Sequence, residues 1–117
     1  MHYAISTTRG PIDITRGALP FVFAASAPQA GDTGMIMPFH DAVTIALDGA
    51  HEKMVPFGPP SRFEEIVSNH NAKGIVCRPC AEIRGIREHM PVKNASFGGM
   101  NDLHAHASRP GAKLINF

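Results

Sequence analysis

Only two cysteines occur in the 117 residues, Cys77 and Cys80, which excludes the disulfide framework that holds many small secreted domains together. An excess of charge of one sign is missing as well. Eleven Lys and Arg stand against ten Asp and Glu, a formal charge of +1. That removes the electrostatic basis for general nucleic-acid binding and the composition of a disordered acidic or basic tail. Long apolar runs are lacking: the longest, Ala18 to Ala25, is broken by Pro20 and falls far short of the roughly 20 residues that cross a bilayer. The opening Met1-His2-Tyr3-Ala4-Ile5-Ser6 has neither the basic region nor the apolar stretch of a secretory signal. The expectation is one soluble domain over residues 1–117, resident in the cytoplasm, with no nucleic-acid or membrane partner.

What is present is 44% apolar residues, enough for a modest core, with seven Phe, six Met and ten Pro that imply many turns and adaptable packing. His2 to Thr7 alternates and stops at Arg9-Gly10-Pro11, the pattern of a first strand and a turn. Asp13 to Ala30 has helical apolar spacing and a Gly31 stop. Pro20 disfavours helix at Leu19, so the regular helix is expected to begin near there or to kink. Thr33 to Phe39 suits a buried strand, Asp41 a helix cap for a segment ending at Gly49, and 51–60 a Pro-rich loop that could contact a partner. Ser61-Arg62-Phe63-Glu64 has the residue types of a capping box, with Phe63, Ile66 and Val67 as the apolar face behind it. Gly74 to Cys77 reads as a strand, Cys80 to Ile86 as a short helix, Val92 to Phe97 as a strand, Met100 to Ala107 as a helix and Lys113 to Phe117 as a last strand. Alternating strands and helices predict a mainly parallel sheet covered on both faces, with ligands at the carboxyl edge of the strands.

Cys77-Arg78-Pro79-Cys80 lies where a strand hands over to a helix. Helix amino termini carry partial positive charge, which favours a thiolate, and Arg78, Arg84 and Arg87 follow within ten residues of Cys77. Three chemistries suit this pair: a redox dithiol with Cys77 attacking and Cys80 resolving, a metal site, or a sulfur carrier holding a persulfide. A thioredoxin fold is disfavoured because too little chain follows residue 80. A structural zinc site needs four ligands; no second CxxC exists, and His70, His89, His104 and His106 offer no compelling spacing, so no metal or other cofactor is assigned. A pair of inert, packed thiols in a non-catalytic assembly protein is the plainer alternative.

His40 and Asp41 follow the second strand and could reach the same edge, His40 as a base or orienting group, or simply as a loop residue beside a helix cap. His104 and His106, two apart on a helix, point about 200° apart and read as surface residues. Thr7-Thr8-Arg9-Gly10 lacks the lysine and glycine pattern of a phosphate loop. Met35, Met37 and Met54 read as packing rather than soft-metal ligands.

Taken together, Gly74-Ile75-Val76-Cys77 followed by Ala81 and Arg84-Gly85-Ile86 resembles the cysteine segment of the DsrE/DsrF-like family, which includes the TusD-type sulfur-relay subunits. Leu19-Pro20-Phe21 with Ala24, Ser96-Phe97-Gly98-Gly99-Met100 with Leu103, and Lys113-Leu114-Ile115-Asn116-Phe117 extend the similarity along nearly the whole chain. The resemblance implies a three-layer α/β/α sandwich with a five-stranded, largely parallel sheet, assembling as a trimeric or hexameric homo-oligomer. It implies that Cys77 accepts persulfide sulfur from a donor protein and passes it to an acceptor. Cys80 departs from the relay members and looks like a CxPC subgroup, in which a second thiol could resolve the persulfide. Together with the reading of the residues themselves, the expected site residues are Cys77, Cys80, Arg78, His40 and Arg84, with Arg78 and the helix end to stabilise the anion and His40 to assist proton movement.

Overall fold

A computed structural model of the chain describes residues 1–50, 54, 72–92 and 95–117. Within them the order is β1 (His2–Thr7), α1 (Ile14–Gln29), β2 (Thr33–Pro38), a 3₁₀ segment (His40–Ala46), β3 (Ala72–Cys77), α2 (Arg78–Ile83), β4 (Ser96–Gly98), α3 (Met100–Ala107) and β5 (Lys113–Asn116). The five strands are parallel, in the order β4-β3-β2-β1-β5. The chain steps outward from β1 through β2 and β3 to β4, then crosses back to place β5 on the other side of β1. By the right-handed crossover rule, that reversal sends α3 to the opposite face from α1. The α/β architecture is the expected one.

Burial explains the order. In β2, Gly34 to Pro38 are all buried, as a strand covered on both faces requires, whereas β5 at the sheet's edge is mostly exposed. Ile5, Met35, Ile36, Met37, Met54 and Val76 are sealed in the core, and Phe21 of α1 packs among them. Met35, Met37 and Met54 are therefore packing residues, as expected.

Asp13 caps α1, its Oδ1 accepting the Arg16 N–H at 3.2 Å, and Gly31 ends it at φ +82°. The helix does not wait for Pro20. It begins at Ile14 and runs through the proline, which is fully buried: packing a small-residue face of Gly17, Ala18, Ala24 and Ala27 outweighs the one backbone bond the imide removes. Gly17 is needed there, since a Cβ would sit 2.8 Å from the Gly10 carbonyl oxygen. Three boundaries differ from the sequence reading. Asp41 is not a cap: the 3₁₀ segment starts behind Phe39 with no side-chain cap. The helix after Cys77 begins at Arg78, before Cys80, and Gly85 follows it at φ +72°. The fourth strand is only Ser96–Gly98, because Val92 turns into the core and bonds Ala46 rather than β3. The expected capping box and helix from Ser61 and the loop 51–60, Met54 apart, lie outside the described residues, as does His70.

One surface expectation is overturned. His104 is exposed, but His106 is buried, because α3 lays it against His2 at the amino edge of the sheet. His2 Nε2 and His106 Nδ1 are 3.0 Å apart, and His2 Nδ1 lies 2.6 Å from Thr33 Oγ1. One imidazole donates and the other accepts, so at least the accepting ring is neutral. Burial pushes His106 down to about 4, helped by the charges of Arg109, His2 and Lys73 and opposed by Asp102. His2 is lowered by burial first, then by Arg109 and the amino terminus. An unfolded histidine takes its proton near 6.5, whereas the folded His106 resists protonation until about 4. The stability gained by holding the pair neutral is therefore complete above pH ~6.5 and lost as pH falls toward 4. Thermal melts between those limits should show a falling Tm in the native protein and a flatter profile in His106→Gln; parallel profiles would refute the assignment.

Candidate functional site

Parallel strands deliver Cys77 to the carboxyl edge: it is the last residue of β3, paired with Gly98 of β4, and the residue behind which α2 begins. Pro79 falls in the first helical turn, where its missing N–H costs nothing and its fixed φ favours the turn. That turn places residue i+3 beneath residue i, so the Cys80 sulfur lies 2.8 Å from the Cys77 sulfur, both cysteines being free thiols. The two are not equivalent. Cys77 is 6% exposed and belongs to the core, whereas Cys80 is half-buried at its margin.

The electrostatics correct the sequence reading. The Cys77 thiol is not acidified but pushed up to about 11, by burial first and then by its hydrogen bond to Cys80; the Cys80 backbone N–H and the charge of Arg84 act weakly the other way. A six-residue helix offers little dipole to set against desolvation, and Arg78 brings no charge to the sulfur. Its guanidinium turns outward to pair with Glu88 and lies 5.2 Å from the centre of the Phe97 ring.

Arg84 is the cation that stays. Its Nη1 donates to the Cys80 carbonyl at 3.0 Å, while Nε and Nη2 both donate to Asp41 Oδ1, at 2.9 and 2.8 Å. The same guanidinium holds the Asp41 carboxyl below the usual carboxylate range. Asp41 is thus a clamp between the 3₁₀ segment and the cysteine turn, 43 residues away in sequence. Gly10 allows the β1 loop to close over this point: a Cβ there would stand 2.8 Å from Asp41 Cβ.

His40, beside Asp41, has a φ of +52° and lies 3.5 Å from the Asp41 carboxylate through Nδ1. Among the described residues no hydrogen bond joins it to either sulfur. It lines instead a neighbouring cleft of about 490 Å³ with Thr8, Arg9, Gly10, Ile12, Asp13 and Asp41, at the carboxyl ends of β1 and β2. The structure therefore brings together Cys77, Cys80 and Arg84, adds Asp41, turns Arg78 away and leaves His40 at the adjoining cleft. Position after β2 places Asp41 at the edge that carries Cys77, but its partner Arg84, 43 residues away, leaves no local pattern in the sequence. Among the described residues no three His, Cys, Asp or Glu side chains gather as metal ligands. His106 lies at the opposite edge of the sheet from the sulfurs, since β1 starts at His2 and the parallel β3 ends at Cys77. No helix of the described residues is long and apolar enough to cross a membrane.

This architecture is shared with solved structures. The YchN protein of E. coli superposes with a TM-score of 0.78 over 99% of this chain and 97% of its own, at 18% identity. MTH1491 of Methanobacterium thermoautotrophicum, a protein of unknown function, superposes with a TM-score of 0.70 over 99% and 98%, at 10% identity. At such identities the likeness is one of fold. No curated protein matches the chain by sequence. The model of the DsrE/DsrF-like family, however, matches residues 1–117, and the chain belongs to that family.

Proposed function

We propose that this chain is a sulfur-transfer protein that handles sulfane sulfur as a persulfide on the Cys77–Cys80 pair. The observation that carries the reading is the contact of two free thiols at 2.8 Å on the carboxyl edge of the sheet, in a fold of the DsrE/DsrF-like family. The acceptor role that the resemblance placed on Cys77 alone fits its environment poorly. A thiol buried to 6% exposure and raised to about 11 is seldom ionised at neutral pH and is hard for a donor to reach. Cys80 is the more accessible sulfur, and it accepts the Cys77 S–H hydrogen bond. Sulfur enters at Cys80 by thiolate attack on the donor's sulfane sulfur, and Cys77 is the second thiol. Arg84 and Asp41 position the turn.

Incubation with an organic persulfide followed by intact-mass spectrometry tests this. Cys77→Ser should gain about 32 Da, one sulfur atom, and Cys80→Ser should gain it at least ~10-fold more slowly, the loss expected when only a buried thiol is left to attack. Equal uptake by both variants would contradict entry at Cys80.

The same burial also favours a second reading, a non-catalytic assembly protein with inert thiols. Alkylation separates the two. In Cys80→Ser, modification of Cys77 should still be rising with pH at about 8.5, where free cysteine is half ionised, because burial, the first cause of its raised value, remains in that variant. In Cys77→Ser, Cys80 should react readily at neutral pH; inertness of both thiols would support the assembly reading.

Self-association as a trimer or hexamer is part of the proposal, supported by apolar side chains left in solvent, among them Leu19 and Val22 on α1, Ile83 on α2 and Leu114 on β5. Sedimentation equilibrium should give a mass three or six times the 12.6 kDa chain; a monomer across micromolar concentrations would end this part of it.

A further inference from the structure

We propose, resting on that sulfur-transfer reading, that sulfur taken up at Cys80 is discharged as hydrogen sulfide, with Cys77 closing a disulfide behind it. A carrier that stores a persulfide must keep other thiols away from it. Here the second thiol stands 2.8 Å from the sulfur that would bear the persulfide, already inside the ~3–3.5 Å of a near-attack arrangement. Both sulfurs sit on one helical turn fixed by Pro79 and by the Arg84 hydrogen bonds to the Cys80 carbonyl and to Asp41. The contact is built into the backbone, so loading one sulfur does not move the other out of range.

The step balances without a further reactant. The Cys77 sulfur attacks the inner sulfur of the Cys80 persulfide; the new bond joins Cys77 to Cys80, and the bond to the terminal sulfur breaks. The terminal sulfur leaves as HS⁻ and takes the Cys77 proton, giving H₂S. The two cysteine sulfurs lose two electrons in total, and the sulfane sulfur gains them. As Cys77 gives up its proton, the Cys80 backbone N–H and the Arg84 charge lie where they favour the ionised sulfur. Burial of Cys77 suits a resolving thiol: it stays hidden from external electrophiles and needs to reach only its neighbour.

The place in a reaction sequence follows from this chemistry. The step upstream must supply a persulfide or polysulfide. The step downstream must return the disulfide to the dithiol by thiol–disulfide exchange with a dithiol protein or small thiol, which is itself oxidised.

One turnover of the fully reduced wild-type chain with glutathione persulfide, free of other reductant, tests the proposal. The protein should emerge about 2 Da lighter than the dithiol, two hydrogens lost to one disulfide, with one equivalent of sulfide released. Cys77→Ser, and Cys77→Ala in case the serine hydroxyl is poorly tolerated in the core, should instead hold the added sulfur and release sulfide at least ~10-fold more slowly, as expected when the adjacent attacking thiol is gone. A wild-type chain that keeps the extra sulfur without releasing sulfide would overturn the discharge step while leaving sulfur transfer standing. Failure of the wild type and both Cys77 variants to take up sulfur would remove the underlying reading itself.

Discussion

The site depends on one junction, the passage from the end of β3 straight into the first turn of α2. A buried parallel strand carries Cys77 out of the core without a loop, and the helix begins at the next residue. Nothing intervenes to carry the sulfur into solvent. Hydrocarbon behind it and the Cys80 sulfur before it set its properties, and desolvation of the charged form outweighs the weak field of a short helix. Cys80, one turn on, is nearer the surface. The result is an asymmetric pair, one thiol shielded and one accessible. This asymmetry divides the labour between them.

A second constraint holds that turn in place. Arg84 ties the Cys80 carbonyl to Asp41, and Asp41 lies against Gly10 in the loop after β1. The segments that follow β1, β2 and β3 at one sheet edge are thus joined through Asp41 and Arg84. The Arg84–Asp41 pair is half in solvent, where an ion pair contributes little to stability. Its effect is positional: three charge-assisted hydrogen bonds fix where Cys80 can be. The cleft shared by Arg9, His40 and Asp41 opens beside the same clamp, so the thiols and the cleft are parts of one edge.

The amino edge has a different character. There His2, Thr33 and His106 form a buried polar cluster joining β1, β2 and α3, which ties the helix that follows β4 back to the first strand. Its consequences are for stability against acid rather than for sulfur chemistry, because the length of the strands separates the two edges.

Much of this was legible in sequence. Period-two and helical apolar patterns, Gly stops and the alternation of strand with helix determined the parallel α/β architecture. Cys77-Arg78-Pro79-Cys80 was recognisable as the handover from strand to helix, but that both thiols share one turn follows from the helix starting at Arg78 rather than at Cys80. The extent of α1 was less legible: local chemistry at Pro20 argued for a later start or a kink, and the helix starts at Ile14 and continues through the proline. The partners of charged groups were not legible at all. Arg78 leaving the sulfur for Glu88 and Phe97, Arg84 choosing Asp41, and His106 finding His2 are contacts between residues far apart in the chain or turned by their surroundings, and only the tertiary structure decided them. The ionisation of Cys77 belongs to that second group, because burial depends on what the rest of the chain packs around the sulfur, and no neighbour in sequence reports it.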